Sequence, residues 1–498
     1  MITEQNTKNA TEDKLKSEVT KEFLRLVRTP EQVYKFRNPA NQLDLTDLSF
    51  AEFFVFKYGD RIKYNNQAGK WYVWENDIWI ECNKNTNELH QLVKDCINEM
   101  FRIAIYQTDK DERNNFLNFC KKCESRNNID NMLILASRES KVNRNESDFD
   151  KFPEYFNCKN VLIDLSGNTF KIIKRDPELL IRQTTNIEYD PASKCPNFLK
   201  ILNTIFNDNN EMINFIQQAV GYSLTGFTSE DCLFFMYGLG KNGKSTFAEI
   251  LKLLFGNYYH KANIELLMMR KNVSVRNDIA DLKGKRLVIT SEIDQGKRLA
   301  ESLVKDLTGG DDITARHLFE EHFTFKPVFK LWIYGNHKPI IRGTDEGIKR
   351  RIKLIPFTNI IPEDQIRSRD SIMIEMGAEV SGILNWALEG FNKWRENGKL
   401  IFPDEVKEAT KEYFDEMDNI QNFVNDCIKS DPGKLTSNKD LYDRYKAYAE
   451  ENGDIILSKR NLSKALKEKG FSDRRGTGGL YNWKDITLLV NSENTKNS

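Results

Sequence analysis

The sequence predicts a multidomain α/β protein. Its 498 residues exceed what one hydrophobic core usually holds, because single cores stop growing at about 250–300 residues. In the middle of the chain, apolar runs typical of buried strands alternate with helical patterns, and blocks of mixed and helical patterning lie on either side. We therefore expect about three or four domains arranged around an α/β core.

The composition is that of an ordinary globular protein without a dominant charge. Hydrophobic residues make up 39% of the chain and charged residues 30%, and 74 basic side chains balance 74 acidic ones. No overall field directs the protein to nucleic acid or to a membrane, so local patches must meet such partners. We see no apolar run of ~18 residues and no apolar signal segment. The sequence predicts a cytoplasmic protein with no membrane partner.

Eight cysteines are scattered along the chain. Only Cys120 and Cys123 have the spacing of a metal-ligand pair, and no second pair or histidine cluster completes four ligands. We interpret these cysteines as reduced thiols on a helix, as expected in a reducing compartment, rather than as a metal site.

Two segments precede the core. Residues 1–45 are polar and are predicted to form an appendage, and residues 46–195 are predicted to form a mixed α/β domain. The aromatic strands of this domain either stack nucleic-acid bases or pack one sheet face on helices, and we favour packing. Alternation, turn signals and helical spacing predict a hairpin of residues 62–64 and 71–74, a strand at 78–80, helices over about 89–123 and a second hairpin around 166–168.

Four further segments complete the predicted organisation. Residues 196–360 hold the α/β core, and residues 361–430 form a helical region with an amphipathic stripe. After a shift in composition, residues 431–490 form a small basic module, and residues 491–498 form a polar tail.

The core begins with a glycine-spaced turn. The apolar run FFMY leads into GLGKNGKST, residues 238–246, and then into a helical pattern. This is the P-loop pattern, in which backbone N–H groups and a helix N-terminus face phosphates. Lys244 would contact the β- and γ-phosphates of ATP, and the Ser245 hydroxyl would bind Mg²⁺. The predicted cofactor-binding residues are Gly238, Gly240, Lys241, Asn242, Gly243, Lys244, Ser245 and Thr246.

Polar residues follow two further strands of the core. Glu292 ends one strand, with Asp294 beyond it, and carboxylates there would hold the Mg²⁺ shell and activate water, unless they merely end an exposed strand. Asn336 follows the next strand and would sense the γ-phosphate, or would only form an Asx-turn. Arg350 and Arg351 have two interpretations. One of them is an arginine finger that reaches the active site of a neighbouring subunit, or both are a charged pair that protects a strand edge from pairing with other chains.

The order of these segments resembles the superfamily 3 helicases, specifically the poxvirus, phage and plasmid primase-helicase family. The resemblance rests on GLGKNGKST, VITSEID, LTGGDDITAR and LWIYGN in this order, followed by DEGIKRRIKLIPF. The stretches YGDRIKY, GKWYVWENDIWIE, CPNFLKIL and GYSLTG resemble the family's N-terminal region, so that the likeness covers most of residues 45–430. The chain is most similar to initiator helicases of staphylococcal phages and their pathogenicity islands.

The resemblance implies an AAA+-like ATPase core that assembles into a ring, usually a hexamer, with ATP between subunits. Single-stranded DNA, rather than RNA, would thread the channel with 3′ to 5′ polarity. Lys244 and Ser245 would bind phosphate and Mg²⁺, Glu292 would activate water, and Asn336 would sense the γ-phosphate. Arg350 or Arg351 would be the finger in trans. In this chain Ser291 stands where many ATPases have a first acid, which leaves the metal role of Asp294 open.

The family also places a hairpin in the channel, here between Asp312 and Phe329. Its predicted DNA contacts, with one helical lysine before it, are Lys305, Arg316, His322 and Lys326. The turn itself carries Glu320 and Glu321, which DNA phosphates would repel, so the contacting residue stays open.

Two expectations about the cellular setting follow from the same resemblance. About 45 residues precede it, too few for the primase domain that family members often carry, so we expect a separate primase. A phage or mobile-element protein of this kind would act in the cytoplasm of a bacterial host.

The sequence pattern of the basic module predicts a helix, a turn, a second helix and a hairpin, as in a winged helix. Arg460, Lys464 and Lys467 extend along the second helix, and Arg474 with Arg475 starts a basic glycine-rich loop. These five residues are the module's predicted DNA contacts. The alternative is a solvated charged helix in a structural module.

Together these patterns predict an ATP-dependent replicative DNA helicase that doubles as an initiator recognising its own origin. A P-loop small-molecule or nucleoside kinase is one alternative, but it gives no reason for LTGGDDITAR. Another is an ATP-switch protein that binds an origin without unwinding it, although such a switch needs no water-activating acid. A packaging or remodelling ring motor is the third.

Overall fold

The computed structural model describes residues 36, 43–83, 88–269, 277–291, 296–316, 322–341, 346–452, 456–475 and 481–489. The chain divides into two compact units. The first comprises residues 1–153 and 172–184, and the second comprises residues 154–171 and 185–498. Helices and strands occur in both units, so the predicted α/β multidomain class is confirmed, while the predicted domain boundaries stay predictions.

In the residues that the structure describes, the first unit combines a small sheet with four helices. The predicted hairpin and its added strand are confirmed, and the sheet order is β3-β2-β1-β4, with β1 antiparallel to β2 and parallel to β4. The elements are α1 (Asp47–Tyr58), β1 (Ile62–Asn65), β2 (Lys70–Glu75), β3 (Ile78–Glu81), α2 (Glu88–Ile105), α3 (Lys110–Cys123), α4 (Arg126–Ala136) and β4 (Asn143–Arg144).

The core of this unit combines aliphatic, aromatic and thiol side chains. Thr46 caps α1 by accepting from the Ser49 backbone N–H at 3.2 Å, and Phe50, Phe53 and Phe54 are buried behind it. Cys96, Cys120 and Cys123 are buried in the same cluster, and burial raises the pKa of Cys120 and of Cys123 to about 12. These thiols therefore pack as small apolar side chains.

A half-buried ion network ties the segment 172–184 into the first unit. Arg182 pairs with Glu146 at 2.8 Å and with Asp150 at 2.8 Å, and its guanidinium lies over the Phe149 ring. Removing either carboxylate would leave a largely desolvated charge without its partner, so the network holds the segment in one position.

The second unit is built on a five-stranded parallel sheet in the order β14-β8-β13-β10-β9. Both faces of the sheet are covered, which explains why its strands are nearly continuous apolar runs. The elements from residue 154 to the end of the sheet, of which β7 continues into the segment 172–184 of the first unit, are β5 (Tyr155–Asn157), β6 (Leu162–Asp164), β7 (Lys171–Ile173), α5 (Pro196–Phe206), α6 (Asn210–Leu224), β8 (Leu233–Tyr237), α7 (Lys244–Phe255), β9 (Tyr259–Ala262), α8 (Asn277–Ala280), β10 (Leu287–Ser291), α9 (Glu301–Thr308), β11 (Ile313–Ala315), β12 (Phe323–Phe325), β13 (Lys330–Gly335), α10 (Glu346–Lys349) and β14 (Ile352–Pro356).

Two long helices follow the sheet, α11 (Arg369–Asn397) and α12 (Asp404–Met417). Helix α11 crosses α6 so closely that glycine is required at the contact. A Cβ added to Gly390 would lie 2.0 Å from the Gln217 carbonyl oxygen, and one added to Gly221 would lie 2.1 Å from the Phe391 nitrogen. This crossing holds α5 and α6, which precede the sheet, against the helices that follow it.

In the described residues, the C-terminal part contains three helices and a three-stranded antiparallel sheet in the order β15-β17-β16. The predicted helix, turn, helix and hairpin are present. Strand β15 was not predicted, because Pro432 and Gly433 indicate a loop; the strand accommodates them at a register shift between Ser430 and Leu435. The elements are α13 (Asn419–Cys427), β15 (Ile428–Ser437), α14 (Asn438–Glu451), α15 (Lys459–Glu468), β16 (Asp473–Arg475) and β17 (Tyr481–Leu488).

Among the described residues, no helix combines the length and the apolar character that a bilayer-spanning segment needs.

Candidate nucleotide-binding site

The loop between β8 and α7, residues 238–243, has a backbone that requires glycine at several positions. Gly240 and Gly243 have φ values of +111° and +81°, in the left-handed region that other residues rarely adopt. A Cβ on Gly238 would lie 2.3 Å from the Phe357 carbonyl oxygen, and one on Gly243 would lie 2.7 Å from Ile205. The glycine spacing is therefore explained by backbone conformation and by close packing. We call residues 238–243 the glycine loop.

Lys244 lies at the start of α7, and its amine is enclosed by the glycine loop. Its Nζ donates to the Gly238 carbonyl oxygen at 2.8 Å and to Oδ1 of Asn242 at 2.7 Å. Only 5% of the residue is exposed, and desolvation lowers the pKa of the amine to about 8. Burial thus disfavours the ammonium form, and an anion beside it would restore that form.

The amine lies at one wall of a cavity of about 770 Å³. This volume falls within the range of small-molecule sites, about 300–1,000 Å³. Asn336, beyond the end of β13, lines the cavity together with His337. From the predicted cofactor-binding set, the lining residues are Gly240, Lys241, Asn242, Gly243, Lys244, Ser245 and Thr246. Gly238 instead contacts Lys244 from within the loop.

Two walls of the cavity were missed by the sequence analysis. One is a face of α5, and the other is the segment 361–372, which follows β14 and ends in the first turn of α11. The α5 residues recur at helical spacing, but isoleucines at that spacing look like ordinary core positions, so only tertiary structure identifies the face. The α5 lining residues are Asn197, Lys200, Ile201, Thr204 and Ile205.

The chain after β14 supports the glycine loop through backbone hydrogen bonds. The Phe357 N–H donates to the Tyr237 carbonyl oxygen at 2.7 Å, and the Ile361 N–H donates to that of Lys241 at 2.8 Å. The Asn242 side chain donates to the Phe357 carbonyl oxygen at 2.7 Å. Displacement of this segment would therefore move the loop.

The predicted carboxylates Glu292 and Asp294 lie outside the described residues. The neighbouring strand ends are described. Ser291, the last residue of β10, pairs in register with Tyr334 of β13. Glu292 thus directly follows a strand end that lies beside the strand leading to Asn336.

The two arginines at the start of β14 have different environments. The Arg350 side chain is 64% exposed and pairs with Asp231 at 3.6 Å. Arg351 is only 9% exposed, and its guanidinium donates to Thr308 Oγ1 at 3.1 Å and to the Gly347 carbonyl oxygen at 2.9 Å. Arg350 is available to a partner, whereas Arg351 fastens α9 to the start of β14.

The position of Arg350 relative to the glycine loop follows from strand direction. Strands β14 and β8 are parallel, with Ile352 opposite Leu233 and Pro356 opposite Tyr237. Arg350 precedes β14, whereas the glycine loop follows β8, so a strand length of roughly 15 Å separates them. Arg350 therefore lies at the opposite edge of the sheet from the cavity of its own subunit.

The predicted hairpin before β13 is confirmed as an antiparallel pair, β11 and β12, with Thr314 opposite Thr324. Its tip, including Glu320 and Glu321, lies outside the described residues. The side chains predicted to contact DNA differ in exposure: His322 and Lys326 are exposed, and Lys305 and Arg316 are half-buried.

The residues of the C-terminal module that are predicted to contact DNA lie at its surface, as far as the structure describes their side chains. Arg460, Lys464 and Arg474 are exposed, and Lys464 pairs with Glu468 at 3.7 Å. Lys467 pairs with Asp473 at 2.9 Å. Arg475 ends β16. The basic surface of α15 is thus partly neutralised toward its C-terminus.

Three family profiles match the chain in succession. Residues 51–207 match "D5 N terminal like", and residues 236–351 match a family of unknown function, DUF5906. Residues 415–486 match "Poxvirus D5 protein-like". The D5-type matches therefore lie on both sides of the glycine loop and its sheet.

The similar proteins include several from large DNA viruses. The helicase candidate L207/L206 of Acanthamoeba polyphaga mimivirus is 27% identical in an alignment of 423 positions that covers 77% of this chain and 43% of the relative. Primase D5 of fowlpox virus is 22% identical in an alignment of 351 positions that covers 66% of this chain and 41% of the relative. The chain thus spans less than half the length of these relatives.

A solved structure, the C-terminal region of NrS-1, is 13% identical with a TM-score of 0.48, and the match covers 89% of this chain and 99% of that one. Because D5-type profiles match residues 51–207 and 415–486, and the viral relatives include Primase D5 of fowlpox virus, the chain is similar to the poxvirus D5-like primase-helicases.

Proposed function

We propose that this chain is an ATP-dependent DNA helicase that moves 3′ to 5′ on single-stranded DNA as a ring, with a hexamer as the expected state. The observation that supports this most is Lys244, whose buried amine is enclosed by the glycine loop at the wall of a large cavity. A buried amine in this position attracts phosphate strongly, because little water competes for its charge.

The remainder of the cavity suits the nucleoside half of ATP. Five isoleucines line it, on α5 and on the segment 361–372, and would bury the flat faces of a base. Asn197 and Gln365 line it as well and offer amide groups to the edge of the base or to the ribose. The isoleucines are Ile201, Ile205, Ile361, Ile366 and Ile372.

The residues present fit a magnesium ion. Ser245 and Asn336 line the cavity and carry the hard oxygen atoms that Mg²⁺ prefers. We assign the remaining metal ligands to Glu292, with Asp294 as a further candidate. When bound, the ion would neutralise charge on the β- and γ-phosphates. Glu292 would accept a proton from the attacking water, and Asn336 would hold that water or the γ-phosphate.

We assign the arginine finger to Arg350 rather than to Arg351. Arg350 is exposed and lies across the sheet from its own cavity, as an arginine that serves a neighbouring subunit must. Hydrolysis then requires two subunits, and the hairpin β11–β12 would meet DNA in the channel between them through Arg316, His322 or Lys326, with Lys305 behind it.

We propose that the C-terminal module is a winged helix that binds duplex DNA and recognises the origin, with α15 as its DNA-contacting helix. Replacing Arg460 and Lys464 with alanine should weaken duplex binding and reduce the slope of log affinity against log salt by roughly 2, one unit per lost phosphate contact. Lys446→Ala is the matched control, because Lys446 makes the same i,i+4 pair on α14, with Glu450.

Two outcomes would contradict this assignment. One is an unchanged salt dependence in the double variant. The other concerns the origin alone: selection from a random duplex pool that enriches no sequence would remove origin recognition while leaving DNA binding in place.

The test of the main proposal is unwinding of forked duplexes by the full chain. We expect unwinding with ATP when the fork has a 3′ single-stranded tail and none when it has only a 5′ tail. ATP turnover without unwinding or DNA stimulation would favour a kinase or an ATP switch. DNA-stimulated turnover without strand separation would favour a packaging or remodelling motor.

A further inference from the structure

The end of the loop after β14 and the first turn of α11 together combine full exposure with access to the cavity. Residues 362–371, which we call the strap, are exposed at every position, yet Gln365, Ile366 and Arg367 line the cavity. Exposed residues that also line the cavity form its outer wall. The strap is therefore the part of the wall that faces solvent.

Ion pairs hold the strap at both ends. Glu363 pairs with Lys241 of the glycine loop at 2.7 Å, and Arg369 pairs with Glu249 of α7 at 2.6 Å. Exposed ion pairs of this kind are weak, because water and salt compete for both partners. The strap is thus tethered to the elements that surround Lys244, but only loosely.

Arg367 is the strap residue with the chemistry to bind an anion. Its two terminal nitrogens donate to the two carboxylate oxygens of Glu375, one at 2.9 Å, and one of them also donates to Ser371 Oγ at 3.1 Å. A guanidinium carries five N–H donors, so these three bonds leave donors for a ligand. Glu375 and Ser371 hold the guanidinium at the cavity wall.

We propose that Arg367 binds the phosphate chain of the nucleotide, together with Lys244, and that this contact draws the strap onto the bound nucleotide. The inference deepens the proposed function and rests on it. A triphosphate carries several negative charges at one end of the cavity, and the planar fork of arginine matches phosphate oxygens better than a second lysine does. Arg367 would contact the nucleotide of its own subunit, whereas Arg350 would act on the nucleotide of a neighbouring subunit.

The experiment measures nucleotide affinity of the full chain by displacement of a fluorescent ADP analogue. Arg367→Ala should weaken ATP binding about tenfold, as the loss of one charge-assisted contact would. Arg369→Ala is the matched control, because Arg369 is an exposed strap arginine with one acidic partner and does not line the cavity. It should stay within about twofold of wild type. Equal effects of the two substitutions would overturn the proposal.

Inorganic tripolyphosphate as a second competitor identifies the part of the nucleotide that Arg367 contacts. If the contact is with phosphate, Arg367→Ala lowers the affinity for tripolyphosphate and the affinity for ATP by similar factors. A loss confined to ATP would assign Arg367 to the nucleoside and overturn the phosphate contact. Arg367→Lys, which keeps the charge without the fork, should give a smaller loss than alanine.

The Lys244→Ala variant separates failure of this inference from failure of the proposed function. Suppose that wild type binds nucleotide, that Lys244→Ala does not, and that Arg367→Ala and Arg369→Ala have the same nucleotide affinity. In that case the role of Arg367 is refuted, and the proposed ATP site stands. If wild type and Lys244→Ala are equally unable to bind nucleotide, the proposed ATP site is lost with it. Thermal unfolding of each variant excludes loss of folded protein as the cause.

Discussion

Lys244→Ala should abolish ATP hydrolysis and DNA unwinding, with a fall in hydrolysis rate of about a hundredfold or more. The Lys244 amine is the buried cation that the glycine loop encloses. In the alanine variant, phosphate would meet the Gly238 carbonyl oxygen and the Asn242 side chain with no positive charge between them. The loss should appear in both affinity and turnover, because the charge meets the γ-phosphate in the ground state and in the transition state. Steady-state hydrolysis with and without single-stranded DNA measures it.

Lys252→Ala is the control for this substitution. Lys252 lies on the same helix, α7, and is exposed in a pair with Glu249 at 3.9 Å, so its loss tests helix and charge without touching the cavity. Activity close to wild type is expected. Residual hydrolysis above a tenth of wild type in Lys244→Ala would contradict the assigned role.

The pH dependence of nucleotide affinity provides a second readout of Lys244. In the free protein the pKa of the amine is about 8, and a bound triphosphate raises it by favouring the ammonium form. Above pH 8 binding must therefore take up a proton, so the dissociation constant of wild type should rise roughly tenfold per pH unit. Below pH 8 the amine is mostly charged, so affinity should change little until the terminal phosphate itself takes up a proton at about pH 6. A flat profile above pH 8 would show that the amine does not bind phosphate.

Local patterns were sufficient to predict the strand, glycine loop and helix around Lys244. An apolar run, glycines with required left-handed angles and a helical stretch are all properties of neighbouring residues. The same holds for the aromatic strands of the first unit, whereas the hairpin β11–β12 was predicted from the family resemblance, with which its alternating pattern agrees. The strand β15 was missed because Pro432 and Gly433 contradict a strand locally, while the register shift that accommodates them depends on β17, some fifty residues away.

The parts of the site that were not predicted depend on tertiary contacts. The isoleucines of α5 resemble core positions, and Arg367 resembles any charged residue at the start of a helix. Arg350 and Arg351 are identical in sequence terms, since each is an arginine between a turn and a strand. Only burial separates them, because the strand directs Arg351 inward to Thr308 and Arg350 outward to solvent.

Stability should distinguish Arg351 from its neighbour. Arg351→Ala removes the donors of the hydrogen bonds to the Gly347 carbonyl oxygen and to Thr308. We therefore expect the free energy of unfolding to fall by about 1–3 kcal/mol and the melting temperature to fall with it. Arg350→Ala, at an exposed site, should leave the melting temperature close to that of wild type. A loss of hydrolysis in Arg351→Ala would then reflect a displaced β14 and α9.

Arg350→Ala should reduce hydrolysis about a thousandfold while nucleotide affinity stays close to wild type, because an arginine finger acts mainly on the transition state. Since Arg350 lies across the sheet from its own cavity, the lost activity should return when Arg350→Ala and Lys244→Ala subunits are mixed. Each variant then supplies what the other lacks, and in random rings about one interface in four is intact. Equal mixtures should therefore recover about a quarter of wild-type hydrolysis, whereas Arg350→Ala alone stays inactive. Mixtures that remain inactive, although both variants assemble into rings, would place the finger elsewhere and leave Arg350 with only its surface pair to Asp231.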